Sequence, residues 1–567
     1  MQQLASFLHG FPALCLFVSI LCGTIIGSFH VKGVGFGAVV GTLIAGMGIG
    51  ILAKPELPEL LRWSFFYLFL FSVGYSVGPQ FFGSLKKEAI PQIVLTLVVA
   101  FTGLATVVAV TVAFGFDEGL AVGLLSGGMT QSAALGTGLS AIAELPIPQA
   151  SKATLAANAP LADAITYGFG DLGLILFITW FGPKIMRADL KQEAKALEGR
   201  LSAGSSNAPA FSGAHFSVRA HLVANADVAA SSLSQLEHRY SDARLSVHRV
   251  QRGDQLLALD PALALRPGDR LVVSAQRGAF LNAERDIGPE VNDPALLSVP
   301  VKTVAAVVTN RVVNGKTIGE LAQDPRMRGV YLESVRRGTE FMPRELWTVL
   351  ERGDVLHVVG APDDVARASR HIGFVERDLS RTDMTVLAGG IVAGMIFGLA
   401  KINAAGIALG LGTAGSILVV GLLTGWARSR YPVFGAIPEA AQRLLMDIGL
   451  IVFIAVVGLQ AGPHAVEAYH ASGGTYFASI FVAGMIVTIV PLAVGTIVAR
   501  YILKMSPLMI LGGLAGAQTC TPGLTALRDA SDSNVGTLAY TVPYAIGNIL
   551  LTVWGSVVVA IVHAIRG

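Results

Sequence analysis

Charge is concentrated in the middle of this 567-residue chain. Residues 1–183 hold 14 Asp, Glu, Lys and Arg side chains, residues 184–383 hold 52, and residues 384–567 hold 13. A soluble domain carries about 25% charged residues, and neither flank comes near that. Both flanks therefore suit an apolar solvent, while the middle can fold in water. Hydrophobic stretches of spanning length fall at roughly 11–30, 34–53, 61–82, 89–115, 118–143 and 152–183. They recur at roughly 383–402, 405–426, 443–463, 473–500, 506–527 and 534–565. The fold class expected is a polytopic α-helical membrane protein with a soluble insert. The N-terminus lacks a basic n-region and reads as a first membrane segment, not a cleaved signal.

The fifth stretch of each half is polar and rich in glycine. It reads Leu125-Ser-Gly-Gly-Met-Thr-Gln-Ser-Ala-Ala-Leu-Gly-Thr-Gly138 in the first half and Leu514-Ala-Gly-Ala-Gln-Thr-Cys-Thr-Pro-Gly-Leu524 in the second. Such backbone is tolerated at membrane depth only against protein or a cavity, so the stretch is expected to be broken or re-entrant. Pro522, which lacks an N–H, adds to the expectation of a break. If the fifth stretch does not cross, each half crosses five times and the halves are inverted repeats. Lys184, Arg187 and Lys191 put the insert inside by the positive-inside rule. Lys86, Lys87, Arg428, Arg430, Arg500 and Lys504 then join them, and Asp117-Glu118, Gly462-Pro-His-Ala465 and both termini lie outside. Lys54 and Arg62 also fall outside, beside Glu56 and Glu59.

The halves align piecewise. Gly35, Gly37, Gly46 and Gly50 match Gly410, Gly412, Gly421 and Gly425. Gly74-x-x-x-Gly78-Pro79 matches Gly458-x-x-x-Gly462-Pro463, a spacing that suits close helix packing. Gly127-x-x-Thr130-x-Ser132 matches Gly516-x-x-Thr519-x-Thr521, and Tyr167-x-x-Gly170-Asp171 matches Tyr544-x-x-Gly547-Asn548. The insert is a second, tandem repeat. Asn225, Val250, Arg252, Gly253, Gly268 and Asp269 recur 85 residues on as Asn310, Val335, Arg337, Gly338, Gly353 and Asp354. Arg270–Ser274 and Val355–Val359 read as short strands after a Gly-Asp turn. The expected domains are a membrane repeat over 1–185, a linker over 186–210, α+β modules over 211–295 and 296–380, and a second membrane repeat over 381–567.

Several classes of function drop out. A net charge of +3 without basic runs gives no sign of nucleic acid. Cys15, Cys22 and Cys520 lie in apolar surroundings and form no CxxC pair, so neither a disulfide framework nor a zinc site is indicated. No nucleophile elbow, P-loop or HExxH is present, and no enzyme, cofactor or metal is expected. Polar groups in the broken stretches are the candidates instead. An interrupted helix presents N–H groups and a positive N-terminus to an anion without a basic side chain. Thr130, Gln131, Ser132, Gln518, Thr519 and Thr521 are the first-choice binding residues, with Asn158, Tyr167, Tyr544 and Asn548 from the sixth stretch of each half. Intramembrane acids tend to be functional, so Asp163 and Asp171 are candidate charge partners. Arg528 is either a carboxylate clamp or a partner of Asp529 or Asp532. Gly74, Gly78, Pro79, Gly458, Gly462, Pro463 and Pro522 are read as packing or conformational positions. Phe71-Ser-Val-Gly-Tyr-Ser76 superficially resembles a potassium filter, which keeps a gated channel as a further alternative.

The paired Gly-x-x-x-Gly-Pro and Gly-x-x-Thr-x-Ser/Thr motifs, with the tandem insert, resemble the aspartate:alanine exchanger family over nearly the whole chain. That resemblance implies two inverted membrane repeats with crossed, discontinuous helices, in an elevator-type bacterial inner-membrane transporter. It implies cytoplasmic modules like TrkA-C, a homodimer in lipid, and a small regulatory ligand at those modules. The implied activity is aspartate:alanine antiport, with dicarboxylate exchange or export (succinate-like substrates) as the alternative.

Overall fold

The computed structural model describes residues 7–28, 30–31, 34–35, 37–83, 89–202, 216–240, 245–276, 284–298, 300–338, 340–375, 382–399, 402–404, 407–409, 412–431 and 435–566. Lys86, Lys87, Gly410, the two chain ends and most of the Ser/Gly-rich stretch before Pro209 lie outside the described residues. The chain forms two compact units, residues 1–195 with 379–567, and residues 196–378.

The first unit repeats one series of seven helices. The N-terminal half gives α1 (Pro12–Ser28), α2 (Gly37–Ala53), α3 (Glu59–Gly83), α4 (Ile90–Phe114), α5 (Glu118–Gly128), α6 (Ser132–Glu144) and α7 (Gln149–Leu176). The C-terminal half gives α8 (Met384–Gly398), α9 (Gly412–Arg430), α10 (Glu439–Ala471), α11 (Gly473–Ile502), α12 (Pro507–Ala517), α13 (Thr521–Ser531) and α14 (Thr541–Arg566). A two-stranded hairpin joins α1 to α2 and another joins α8 to α9. Among the described residues six helices are long and apolar enough to cross a membrane: α3, α4, α7, α10, α11 and α14. This is a multi-pass membrane protein. The other four expected crossings fall on α1, α2, α8 and α9. With 17 residues each, α1 and α2 reach only about 25 Å at ~1.5 Å per residue, short of a hydrocarbon core of ~30 Å.

Glycines set how close these helices come. A Cβ on Gly74 or Gly78 of α3 would overlap the carbonyl oxygens of Leu418 and Leu422 on α9, and one on Gly421 or Gly425 would overlap those of Phe71 and Tyr75. The same reciprocal arrangement joins α10 to α2: Gly462 abuts Met47, and Gly50 abuts Leu459. The Gly-x-x-x-Gly-Pro motifs thus pack each half against the other. Pro79 and Pro463 both sit inside their helices.

The fifth stretch of each half is a helical hairpin. A Cβ on Gly119, Gly123 or Gly127 would meet Leu155, Ala159 and Thr166 in turn, so α5 runs alongside α7 in the same direction. Gly138 of α6 faces Val122 of α5, so α6 doubles back. In the other half Gly512 and Gly516 of α12 abut Gly536 and Tyr540. Thr521, at the start of α13, reaches Tyr540, and Arg528, near its end, reaches Thr537, so α13 doubles back too. The long helices α4 and α11 are antiparallel. Leu95, near the start of α4, touches Gly495 near the end of α11. Phe116, just beyond α4, lies 6.5 Å from Tyr476 at the start of α11. The two hairpin bases therefore lie at opposite ends of the unit.

The second unit holds two sheets of the same design. The first orders its strands 216–222, 270–276, 246–252 and 255–257. The second orders 302–308, 355–360, 330–337 and 340–342, and adds 373–375 at its edge. Arg252 grips Asp269 through two bonds of 2.8 Å, and Arg337 grips Asp354 identically. Each arginine also donates to a carbonyl 12 residues on, Ala264 or Val349. The repeated Arg-Gly and Gly-Asp dipeptides are the two ends of one fork-shaped ion pair. Ser232 with Gln235 and Thr317 with Glu320 form capping boxes at matching helix starts. Leu190–Ser202, read as part of a linker, is a helix; Glu193 in its first turn and Arg200 in its last favour its dipole.

Candidate functional site

Both hairpins turn by the same device. Helix α5 ends at Met129, and Thr130 then takes a left-handed backbone with φ of +53°. The Thr130 N–H bonds the Gly127 carbonyl at 3.2 Å, and the Gln131 N–H bonds the Ser126 carbonyl at 2.8 Å. In the second hairpin Thr519 has φ of +56°, its N–H bonds Gly516 at 2.8 Å, and the Cys520 N–H bonds Ala515 at 2.9 Å. This is a Schellman ending, which satisfies terminal carbonyls without water. Its left-handed position is ordinarily glycine. A threonine there is strained, because a β-branched side chain crowds the following carbonyl by about 1–2 kcal/mol. The break thus comes from Thr130 and Thr519. Pro522, which added to the expectation of a break, sits in the first turn of α13, where proline is tolerated.

The hydroxyls explain why threonine is kept. The Thr130 hydroxyl donates to the Gln518 carbonyl at 2.6 Å, and the Thr519 hydroxyl donates to the Thr130 carbonyl at 3.4 Å. The two hairpin tips therefore meet, each bonded to the other's turn. Around them Gln131 donates to the Asn548 side chain at 3.1 Å, and Cys520 donates to Asp171 at 3.3 Å. These are equivalent contacts: the residue after each tip threonine reaches the sixth-stretch helix of the opposite half. Thr521 shares a 3.0 Å bond with Tyr540, whose ring stacks on Tyr544. In the first hairpin Ser132 lies beside Tyr167, the counterpart of Tyr544. Gln518 is fully buried and its amide reaches the Thr488 carbonyl at 3.4 Å, while its side-chain oxygen has no hydrogen-bond partner.

Most of the expected binding residues thus gather around one point: Thr130, Gln131, Ser132, Tyr167, Asp171, Gln518, Thr519, Thr521, Tyr544 and Asn548. Three do not. Asn158 donates to Asp117 at 2.6 Å, which places it at the base of the first hairpin. Arg528 donates to Thr537, two turns along α13 from the tip. It braces the base of the second hairpin, so of its two readings the carboxylate clamp is not formed at the tips. Asp163 lies one turn of α7 before Tyr167, wholly buried beside Ser126, whose hydroxyl donates to the Gln131 carbonyl at 3.2 Å. Sequence reasoning missed Thr488, which donates to Gly128 at 2.9 Å, and Thr137, which donates to Thr552 at 2.6 Å. A lone threonine in an apolar helix gives no signal, because its role depends on the neighbour it meets.

At the tips the arrangement is suited to a small polar solute. The first turns of α6 and α13 begin there; α6 brings amides that no helical carbonyl precedes, whereas in α13 Pro522 has no N–H and the Gly523 N–H bonds the Cys520 sulfur at 3.4 Å. The surrounding groups are hydroxyls, amides and one carboxylate, able to both donate and accept. Among the described residues no cluster of His, Cys, Asp or Glu could hold a metal ion.

In the soluble unit, Glu237 takes two 2.5 Å bonds from Arg328, linking the two modules. Beside this pair burial pushes the His248 imidazole down, against the opposing pull of Asp364 at 3.9 Å. Burial alone would raise the Asp269 carboxyl, but the Arg252 fork holds it below the ordinary range.

A family model described as Predicted Permease Membrane Region (Asp-Al_Ex) matches residues 15–183 and 386–560, which are the two helical halves. The chain belongs to the aspartate:alanine exchanger family. A TrkA-C domain model matches residues 303–373, the second of the two sheets. Relatives of this family member include a Bordetella bronchiseptica protein named as an uncharacterized transporter, 48% identical over 99% of this chain and 98% of its own. A Bradyrhizobium diazoefficiens protein named likewise is 36% identical over 91% of this chain and 99% of its own. One from Shewanella oneidensis is 31% identical over 99% and 100%. No solved structure matches.

Proposed function

We propose that this family member is a secondary transporter that exchanges small carboxylate-bearing substrates across the bacterial inner membrane, with electrogenic aspartate:alanine antiport as the primary assignment. The observation that carries it is the tip-to-tip contact of two strained threonine turns, Thr130 on Gln518 and Thr519 on Thr130. Discontinuous helices whose ends meet at mid-depth are how inverted-repeat transporters bind substrate. Antiparallel α4 and α11, with hairpin bases at opposite ends, support an inverted repeat and two re-entrant hairpins. In this reading a carboxylate displaces the threonine contacts and takes first-turn amides of α6, with the Thr519 and Thr521 hydroxyls of the second hairpin. Gln131, Asn548 and Asp171 then offer partners for a second carboxylate or an ammonium group.

The hairpins with α7 and α14 form the part that moves, elevator-like, against α2, α3, α9 and α10, whose mutual glycine contacts suit a fixed, dimeric scaffold in lipid. The insert is cytoplasmic and regulates this motion, through a small ligand or through assembly; both termini are periplasmic. Exchanging aspartate, net −1, for alanine, net zero, moves one charge per cycle, worth about 2.3 kcal/mol per 100 mV. A dicarboxylate such as succinate is the alternative substrate. The channel reading loses support, because Phe71–Ser76 lies within continuous helix α3, where its carbonyls serve the helix. Counterflow in proteoliposomes tests the proposal. Labelled aspartate should enter against internal alanine or aspartate and stop without an internal substrate; uptake independent of internal solute would sink the exchanger assignment.

A further inference from the structure

A cleft of about 260 Å³ opens at the base end of the first hairpin, lined by α3, α6, α7 and α10. Its size is near the lower end of ligand pockets, about 300–1,000 Å³, and suits a solute of a few carbon atoms. Two of its lining residues are cations, Arg62 and Lys152. The Arg62 side chain is only 11% exposed, yet the acid it faces, Glu59, is 75% exposed at 3.5 Å. That makes a loose pair, screened by solvent. The strong partner of Arg62 is neutral: Nη1 donates to Gln460 at 2.9 Å. Its Nε is buried and has no hydrogen-bond partner among the described residues, and the guanidinium lies 4.7 Å from the Trp63 ring centre. Lys152 donates to the Ala143 carbonyl at 2.8 Å and, among the described residues, to no carboxylate within ion-pair distance. A nearly buried guanidinium with an unused donor, whose one acid partner, Glu59, is mostly in solvent at the rim of the same cleft, can take a second anion, because its planar fork matches a carboxylate.

We infer that this cleft is an anion vestibule, in which Arg62 and Lys152 take a carboxylate group of a small solute. Its wall is continuous with the hairpin. Leu139, Ile142 and Ala143 of α6 line the cleft, while Ser132 begins α6 at the tips, about 10–17 Å away at ~1.5 Å per residue. The inference rests on the exchange reading for its physiological solute: the cleft concentrates anionic substrate at one end of the path to the tips. Alanine, with no net charge, gains less from it than aspartate does, so the vestibule gives preference to the anion on that face.

The test uses the full-length protein in nanodiscs, with sodium succinate and sodium aspartate as probes and sodium chloride as the ionic control. Trp63 reports, and Trp63→Phe identifies its share of the emission. Either dicarboxylate should change the Trp63 emission where chloride does not. Arg62→Gln should weaken the apparent affinity about tenfold or more, Arg62→Lys should restore part of it, and Lys152→Gln should weaken it severalfold. In counterflow, Arg62→Gln should raise the KM for aspartate with little change in kcat. No Trp63 response to either probe, or an Arg62→Gln titration matching the wild type, overturns the vestibule. Counterflow that runs normally in Arg62→Gln, with an unchanged KM, overturns it too and leaves the exchange reading standing. An Arg62-dependent titration in a protein that shows no counterflow supports the anion site and removes the exchange reading instead.

Discussion

Replacing Thr130 with valine isolates the hydroxyl at the meeting point of the hairpins. Valine keeps the volume and the β-branch, so the left-handed strain at position 130 stays. What is lost is the 2.6 Å bond to the Gln518 carbonyl, in a place where Thr130 is 5% exposed. An acceptor stripped of its donor in a buried site costs about 1–3 kcal/mol. Polar bonds between membrane helices average only about 0.6 kcal/mol and reach ~1.7, which sets the expected loss near 1–1.7 kcal/mol. The equivalent Thr519 bond is 3.4 Å long, so Thr519→Val should lose less, about 0.5 kcal/mol. Thr130→Gly removes the same hydroxyl but relieves about 1–2 kcal/mol of strain, and should come out close to neutral in stability. Equilibrium unfolding in mixed micelles reads the order, and counterflow at matched protein levels reads the function, which should fall in all three. If Thr519→Val proves as destabilising as Thr130→Val, or if Thr130→Val matches the wild type in both assays, the tips are not held together by these hydroxyls.

Helix approach gives a second prediction. A side chain on Gly555 would overlap the Ala134 carbonyl and the Thr137 hydroxyl, whereas Gly48 has open space around its Cβ position; Gly555→Leu should abolish counterflow, and Gly48→Leu should leave it near wild type. In the insert, Arg337→Ala leaves Asp354, 1% exposed, without its fork, at a cost of about 3–5 kcal/mol. Hydrogen exchange along Val355–Gly360 should accelerate accordingly; unchanged protection would show that the pair does not hold the strand. The pH dependence follows from His248. Its folded pKa lies below 6.5 because of burial, so the unfolded insert takes the proton first. Stability is full above about pH 6.5 and declines as pH falls through that value toward the folded pKa. Protection of Ser246–Arg252 should decline over that range in the wild type and less in His248→Gln; equal declines would place the titrating group elsewhere.

The repeats were legible because they act through residue types that few others replace. Arg252 with Asp269 and Arg337 with Asp354 recur at one spacing because a planar fork must meet a carboxylate across a turn. Thr130 and Thr519 stood out as polar groups in apolar runs, and the structure brings them into contact. Asn158 and Arg528 looked alike in the sequence to Gln131 and Asn548, yet they brace the bases of the hairpins. Nothing local separates a polar group at a tip from one at a base, since the difference is the length of helix between them. Arg62 was read only as a charge at a membrane boundary; its significance depends on Gln460, which lies far off in the sequence.

By itself the sequence determined that two apolar flanks need a membrane, that each contains a stretch unfit to cross as a plain helix, and that a soluble double module lies between. Those follow from hydropathy and from glycine and proline chemistry, which are properties of short windows. Only the tertiary structure decided that the broken stretches double back, that their threonines rather than Pro522 make the turn, and that each tip bonds the other. A left-handed threonine is unfavourable in isolation, and no local preference would select it. It persists because Gln518 and Thr130, more than 380 residues apart, supply its hydroxyl with a buried acceptor once the two halves have packed.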